Sequence, residues 1–334
     1  MTIRFGLLGA GRIGKVHARA IANDPNASLV AVADALPAAA EAIASAYGCA
    51  VRTIEEIIGS SDVDAIVICT PTDTHADLIE AGVKAGKAVF CEKPIDLNVE
   101  RVKACLEVVK ANKGTLMVGF NRRFDPDFMA VKAAIDAGKV GEVEMVTISS
   151  RDPGAPPYEY ITRSGGIFRD MTIHDFDMAR WLLGEEVETV QAAASVLVDK
   201  KIGELGDYDS VNVILRTASG RQAVITNSRR ATYGYDQRIE VLGSKGSASA
   251  MNMAEANIEV ATAEGFHRPP LLNFFMTRYV AAYANEIAAF IGAMTSGTET
   301  PTTGTDGLLA LVLAEAALKS VEEGRAVKVA EITG

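Results

Sequence analysis

The amino-terminal segment constrains the fold most, because a short apolar run leads directly into three closely spaced glycines. Ile3 to Leu8 is strand-like, and Gly9-Ala10-Gly11-Arg12-Ile13-Gly14 follows it and opens a helical pattern that continues to Ala22. Such a turn needs glycine for the tight bend, for close backbone approach and for helix-on-strand packing. Free N–H groups at the helix start favour a bound anion. The pattern predicts the first strand-turn-helix unit of an α/β fold that binds a pyrophosphate.

The rest of the first third continues the same alternation. Further buried-type runs are 28–33, 65–69, 88–91 and 116–119, and the helical patterns between them are 37–47, 74–84 and 98–111. Apolar runs without polar alternation are typical of strands buried on both faces, and strand-helix-strand order gives parallel crossovers. The sequence therefore predicts a Rossmann dinucleotide-binding domain with a doubly wound parallel sheet over residues 1–121.

From residue 122 the pattern changes. A helix at 126–137, a strand at 142–149 and a Pro- and Gly-rich loop at 152–166 precede a helix at about 168–183. Strand-like runs joined by short turns then cover 188–198, 210–217, 222–228, 237–242, 247–251 and 257–262, before two Ala-rich helices at about 275–294 and 305–323. Short turns between consecutive strands are typical of antiparallel pairing. Residues 122–334 are predicted to form an α+β domain with an open, mainly antiparallel sheet, for substrate binding and oligomerisation.

Charge and cysteine usage restrict the partners and the compartment. The 33 Lys+Arg and 43 Asp+Glu residues give a net charge of −10, and Arg122-Arg123 and Arg229-Arg230 are isolated basic pairs. Such a chain lacks the basic surface that a nucleic acid needs. No apolar stretch reaches membrane-spanning length, and the first residues do not resemble a secretion signal. Cys69, Cys91 and Cys105 lie in apolar patterns without a CxxC pair, which favours buried free thiols and a cytoplasmic protein.

Asp34 indicates which dinucleotide binds. It ends the second strand-like run about 20 positions beyond Gly14, where an acid accepts hydrogen bonds from a ribose diol. Its carboxylate would repel a 2′-phosphate, and Ala35-Leu36 supplies no compensating arginine. We therefore expect NAD rather than NADP. The alternative is a glycine-rich turn followed by an acid that only caps a helix.

Polar segments follow three of the predicted strands. They are residues 69–75, 91–94 and 119–123, and the carboxyl ends of parallel strands are where open α/β sheets bind ligands. Lys93 is either a group over the cofactor or a surface lysine, and His75 either shapes the nicotinamide pocket or starts a helix. The predicted cofactor-binding residues are Gly9, Gly11, Arg12, Ile13, Gly14, Asp34, Thr70, Pro71, His75, Glu92, Lys93 and Asn121.

The predicted helix near residue 168 carries three ionisable side chains on one stripe. Asp170, His174 and Asp177 stand at i, i+4 and i+7, whereas Ile173 and Phe176 serve another face. A solvated face, a metal site and an acid-base face over a substrate all fit this spacing. No other Cys or His is placed to complete a metal site, so none is predicted. Histidine titrates near neutrality, a flanking acid orients it, and a nearby ammonium stabilises an alkoxide. The acid-base alternative, in a dehydrogenase, is favoured.

Taken together, these segments resemble the glucose-fructose oxidoreductase and inositol dehydrogenase family over nearly the whole chain. The resemblance rests on residues 9–14, 92–94, 119–125, 167–177 and 233–236, and it is strongest to the inositol dehydrogenase branch. It implies a homotetramer, a catalytic group of Lys93, Asp170 and His174, and a polyol surrounded by Arg122, Asp152, Asp177 and Tyr235. Bracing the domain junction, starting a turn and packing on the sheet are the structural alternatives for Arg122, Asp152 and Tyr235.

The implied reaction is NAD-dependent oxidation of myo-inositol at C2 to 2-keto-myo-inositol. His174 would accept the hydroxyl proton, Lys93 would stabilise the same oxygen, and Asp170 would orient His174. One alternative is oxidation of another polyol or aldose, such as scyllo-inositol, D-chiro-inositol or glucose. A second is an NAD-responsive binding protein without chemistry, and a third is an enzyme that recycles a tightly held cofactor in place.

Overall fold

The computed structural model describes residues 2–333, which divide by packing into two units. The first unit contains residues up to 125 together with 280–311, and the second contains 126–279 together with the residues from 312 onward. No helix within residues 2–333 is long and apolar enough to cross a membrane.

The amino-terminal third alternates strands and helices. In chain order these are β1 (Ile3–Leu8), α1 (Arg12–Asn23), β2 (Ala27–Ala33), α2 (Pro37–Tyr47), β3 (Ala50–Val51), α3 (Ile54–Gly59), β4 (Ala65–Ile68), α4 (His75–Lys84), β5 (Ala88–Glu92), α5 (Val99–Ala111) and β6 (Leu116–Gly119). Short 3₁₀ turns occupy Thr72–Thr74 and Asn121–Phe124.

The remaining two thirds begin with helices and strands and end in two long helices. The elements are α6 (Pro126–Asp136), β7 (Val143–Arg151), α7 (Tyr158–Ile161), α8 (Ile173–Leu183), β8 (Val187–Ser195), α9 (Lys200–Glu204), β9 (Ser210–Thr217), β10 (Gln222–Ser228), β11 (Asp236–Gly243), β12 (Gly246–Ala250), β13 (Val260–Thr262), β14 (Gly265–His267), α10 (Phe275–Arg278), α11 (Val280–Ser296), α12 (Gly304–Glu323), β15 (Val327–Lys328) and α13 (Ala330–Thr333). A π-helical turn, Phe168–Thr172, precedes α8.

The first unit is built on a six-stranded sheet in the order β3-β2-β1-β4-β5-β6 with parallel pairing throughout. Every residue of β4 and β6 is buried, as expected for strands covered on both faces. The predicted doubly wound Rossmann sheet is confirmed. Its strand order reverses between β1 and β4, and the carboxyl ends of these strands are where such sheets bind dinucleotides.

Residues 280–311 complete the first unit although they lie far along the chain. Phe290 of α11 packs on Phe5 and Phe90, with ring centroids 6.3 and 5.8 Å apart. The Thr302 hydroxyl donates to the Val118 carbonyl oxygen at 2.7 Å, and the Thr302 carbonyl oxygen accepts the Val118 N–H at 3.0 Å. Thr302 therefore covers the outer edge of β6. This packing division differs from the functional division at 121/122, which stays a prediction.

The second unit contains a seven-stranded sheet in the order β12-β11-β7-β10-β9-β8-β15. Only β7 and β10 pair in parallel, and the other pairs are antiparallel. The predicted open, mainly antiparallel sheet is therefore confirmed. Helix α8 packs on β7 and β10, and its side chains Ile173, Phe176 and Leu182 are buried.

Three predicted elements are interrupted or shortened by tertiary contacts. The predicted helix at 168–183 begins as the π-helical turn, where the Thr172 hydroxyl donates to Asn227 Oδ1 at 2.7 Å. The predicted helix at 275–294 is divided into α10 and α11 at the boundary between the units, where Tyr279 is buried. The predicted strand at 257–262 shortens to β13, because it pairs only with β14 in a separate hairpin.

Candidate functional site

Each glycine of the first turn meets a different steric requirement. Gly9 has φ +101°, and a Cβ there would lie 2.6 Å from the Cys69 carbonyl carbon. A Cβ on Gly14 would lie 2.1 Å from the Gly9 oxygen, so helix and turn touch there. At Gly11, by contrast, a Cβ would meet no protein atom within 4 Å. The space in front of Gly11 fits a ligand that approaches the backbone, as a pyrophosphate does.

The amino terminus of α1 is suited to hold an anion. The N-cap residue is Gly11, which has no side chain to accept hydrogen bonds from the N–H groups of the first turn. That turn begins with the exposed Arg12 and the half-buried Ile13. The helix dipole adds partial positive charge at this end.

Asp34 lies directly beside this turn. Its Oδ2 accepts the Ala10 N–H at 2.6 Å, and its Oδ1 accepts the Leu36 N–H at 2.7 Å. These two bonds orient the carboxylate, and each oxygen keeps a second lone pair for a ribose hydroxyl. The geometry fits the acid of an NAD site.

His75 joins two loops at the carboxyl edge of the sheet. It is the first residue of α4 and only 2% exposed. Its Nδ1 lies 2.7 Å from the Pro94 carbonyl oxygen, and its Nε2 lies 2.8 Å from the Thr70 carbonyl oxygen. His75 therefore starts a helix and also ties the Thr70-Pro71 loop to the loop after β5.

Two buried polar side chains follow β6. Asn121 and Arg122 lie in the 3₁₀ turn and are 3% and 4% exposed. The Asn121 Nδ2 atom has no hydrogen-bond partner among residues 2–333. A buried donor without an acceptor costs free energy, so this atom fits an acceptor on a bound molecule, such as a nicotinamide carboxamide oxygen.

Lys93 follows β5 and is half-buried. Its backbone N–H lies 3.3 Å from Oε2 of the preceding Glu92. The other carboxylate oxygen of Glu92 lies 2.6 Å from Nε2 of the fully buried His17. The sequence pattern predicts Glu92 and Lys93 as site residues but gives no sign of His17, because a lone histidine inside an apolar helix carries no functional signal.

In the second unit, Asp170 lies in the π-helical turn, and both its carboxylate oxygens are held. The Tyr160 hydroxyl donates to Oδ1 at 2.8 Å, and Arg229 donates to Oδ2 at 3.3 Å. Arg229 is 1% exposed and also lies 3.5 Å from Asp207. The Arg229 guanidinium thus forms a charge-assisted hydrogen bond with the Asp170 carboxylate. The sequence gives no sign that Tyr160 and Arg229 contact Asp170, since no spacing rule connects them to it.

His174 and Asp177 belong to α8, which is almost entirely buried. Asp177 is 1% exposed, whereas His174 is half-buried. This burial contradicts a solvated face for the Asp170, His174 and Asp177 stripe. No group of three His, Cys, Asp or Glu side chains that could hold a metal ion occurs within residues 2–333.

Asp175 anchors α8 to the sheet, which the sequence did not indicate. It is fully buried and accepts hydrogen bonds from the Ser150 hydroxyl at 2.6 Å and the Asn227 amide at 2.8 Å. Ser150 belongs to β7 and Asn227 to β10, so this carboxylate fixes the helix against two strands. His174 is the preceding residue on this anchored helix.

The two other predicted polyol residues have different surroundings. Asp152 is half-buried just after β7, and its N–H donates to the Ser228 carbonyl at 3.0 Å. Tyr235 is 6% exposed and packs edge-on against Phe274 and Tyr279, with centroids 6.1 and 5.9 Å apart. These contacts fix the tyrosine ring within the second unit.

Comparison with known proteins relates the fold to a family. Residues 3–120 match the oxidoreductase family with an NAD-binding Rossmann fold, and residues 128–249 match the GFO/IDH/MocA C-terminal domain. The chain is 69% identical over 330 residues to the inositol 2-dehydrogenase of Rhizobium meliloti, covering 99% of this chain and 100% of that protein.

Solved structures show the same relationship. A myo-inositol dehydrogenase from Corynebacterium glutamicum superimposes with a TM-score of 0.95 at 44% identity, covering 98% of this chain and 99% of the other. The scyllo-inositol dehydrogenase of Lactobacillus casei, solved with NAD(H) and scyllo-inositol, gives 0.92 at 30% identity and covers 99% and 100%. The first unit is thus an NAD-binding Rossmann domain, and the chain belongs to the GFO/IDH/MocA family of oxidoreductases.

Proposed function

We propose that this oxidoreductase uses NAD to oxidise the C2 hydroxyl of myo-inositol to 2-keto-myo-inositol. The observation that carries the proposal is the 69% identity, over the full length, to an inositol 2-dehydrogenase. Asp170, His174 and Asp177, together with the glycine turn beside Asp34, would supply the chemistry that this reaction needs. Gly9, Gly11, Arg12, Ile13, Gly14, Asp34, Thr70, Pro71, His75, Glu92, Lys93 and Asn121 are the proposed cofactor residues.

Lys93, Asp170 and His174 are the proposed catalytic group. Bound NAD supplies the hydride acceptor. His174 accepts the proton of the substrate hydroxyl, and the Lys93 ammonium donates a hydrogen bond to the same oxygen as negative charge develops. Asp170, held by Arg229, orients the imidazole and stabilises the imidazolium that forms.

Polyol selectivity is assigned to Arg122, Asp152, Asp177 and Tyr235. A cyclic polyol presents hydroxyls in fixed directions, and a misplaced hydroxyl leaves a buried polar partner unpaired. Arg122 and Asp177 are 4% and 1% exposed, so an unpaired group at either position is costly. These side chains therefore favour one arrangement of hydroxyls over its epimers.

We also propose a cytoplasmic homotetramer. The outward face of the seven-stranded sheet exposes Met145, Ile214, Val224 and Leu242, each between 38% and 51% accessible. Val224 pairs with Ile214 across β9 and β10, and Met145 pairs with Leu242 across β7 and β11, so the face carries two exposed apolar cross-strand pairs. Apolar areas of this kind mark association surfaces, and a second copy of the chain is the proposed partner.

The direct test is NAD reduction by the purified protein with myo-inositol, scyllo-inositol, D-chiro-inositol and glucose. We expect the highest kcat/KM with myo-inositol, and a loss of about 10²- to 10⁴-fold in kcat for His174→Ala with NAD binding retained. A clear rate with glucose and none with the inositols would contradict the substrate. NAD binding without turnover of any polyol would instead support a binding protein.

A further inference from the structure

Three buried ionisable side chains lie together in the first unit, and one of them immediately precedes Lys93 in the chain. We call His17 of α1, Glu92 at the end of β5 and Glu286 of α11 the buried cluster. His17 and Glu286 are fully buried, and Glu92 is 9% exposed. Glutamate is almost never fully buried unless it is paired, and buried ionisable groups cluster at functional sites.

The two carboxyl groups of the cluster differ in their contacts. Neither carboxylate oxygen of Glu286 has a hydrogen-bond partner among residues 2–333, and burial, with a smaller contribution from repulsion by Glu92, raises its pKa well above the usual range. Glu92, in contrast, has Nε2 of His17 at 2.6 Å from its Oε1, so Glu92 is the carboxyl group of the cluster that is tied to another side chain.

Aromatic rings fix the imidazole that holds Glu92. The His17 ring packs edge-on against Phe90 and Tyr283, with centroids 5.0 and 5.5 Å away. The carboxyl group of Glu92 is also confined by Gly119, where a Cβ would lie only 3.1 Å from it. The carboxylate can therefore move little while His17 keeps its place.

Glu92 transmits this restraint to the next residue, because its Oε2 lies 3.3 Å from the Lys93 N–H. We propose that His17 and Glu92 form a positioning pair that fixes the backbone of Lys93 and thereby aims its ammonium at the reacting oxygen. This inference rests on the catalytic role of Lys93 in the proposed function. Misplacement of a catalytic group by about 1 Å costs on the order of 10²-fold in rate.

The test compares wild-type enzyme with His17→Phe, Glu92→Gln, the double variant and Glu286→Gln. Phenylalanine retains a ring between Phe90 and Tyr283 and removes the nitrogen that holds Glu92. We expect His17→Phe and Glu92→Gln each to lower kcat by about 10²-fold, and His17→Phe to change the NAD dissociation constant less than about threefold. The double variant should be no slower than the slower single one. Glu286→Gln, the control from the same cluster, should keep its kcat within about twofold of the wild-type value.

Crystal structures of the variants give a readout that does not depend on turnover. We expect the Lys93 backbone and Nζ to shift by more than about 0.5 Å in His17→Phe and Glu92→Gln, but not in Glu286→Gln. Unmoved Lys93 in both, or additive losses in the double variant, would overturn the positioning pair. If His17→Phe does not fold, Glu92→Gln decides by the same criteria. A wild type that oxidises no polyol refutes the proposed function separately, and the Lys93 displacement still decides the pairing.

Discussion

At the residue scale, the three glycines of the first turn have separable roles. Gly14 is required by the fold, because a methyl group there would lie 2.1 Å from the Gly9 oxygen. Gly11 has no protein atom within 4 Å of its Cβ position, so the fold does not require glycine there, and close approach of the cofactor is the proposed reason for it. The sequence motif does not distinguish a glycine needed for folding from one needed for cofactor binding. The atoms around each Cβ position make that distinction.

This difference predicts opposite outcomes for two alanine substitutions. Gly14→Ala should lower the free energy of unfolding by about 1–3 kcal/mol, because the backbone must shift to admit the methyl group. Gly11→Ala should change it by less than about 1 kcal/mol and weaken NAD binding at least about tenfold. Thermal unfolding and NAD titration calorimetry measure the two effects, and a destabilised Gly11→Ala with normal NAD affinity would contradict the assignment.

At the element scale, α8 is positioned by polar contacts that its apolar pattern does not reveal. Asp175 joins it to β7 through Ser150 and to β10 through Asn227. The π-helical turn in front of it carries Asp170, held by Arg229 from the segment that follows β10. The helix can be predicted from hydrophobic periodicity, whereas the π turn depends on residues about 55 positions away along the chain, such as Asn227 with Thr172.

Replacing the anchor tests this account of α8. Asp175→Asn keeps the side-chain shape but replaces one carboxylate oxygen by an NH₂ group. Either the Ser150 hydroxyl or the Asn227 amide then loses its acceptor. We expect a loss of about 1–3 kcal/mol in the free energy of unfolding, measured with urea, because a buried donor becomes unsatisfied. The exposed Asp136→Asn should stay within about 0.5 kcal/mol. Equal effects at the two positions would show that the buried network does not anchor the helix.

At the scale of the whole molecule, stability should depend on pH through Glu286. Its folded-state pKa is raised, first by burial and then by Glu92, whereas an unfolded glutamate titrates near pH 4.3. Between those two values the folded state binds the extra proton, so stability is fully present below about pH 4.3 and falls as pH rises toward the folded pKa. The fall amounts to about 1.4 kcal/mol for each pH unit.

Glu286→Gln should remove this dependence. Glutamine is neutral at every pH, so the variant should gain stability relative to wild type as pH rises above about 4.3, by a margin that grows until the folded-state pKa of Glu286 is passed. Urea unfolding at several pH values measures the margin, with the exposed Glu299→Gln as control. A margin that is constant with pH would contradict the assignment of a protonated Glu286.

Local sequence patterns determined the class of both sheets, the glycine turn, the acid after β2 and the ionisable stripe around His174. These depend on backbone sterics and hydrophobic periodicity, which act over a few neighbouring residues. Tertiary structure alone decided that residues 280–311 complete the first unit, that Arg229 and Tyr160 hold Asp170, and that His17 holds Glu92. Those contacts join residues far apart in the chain, and their free energy comes from burial and polar pairing that exist only once the chain has folded.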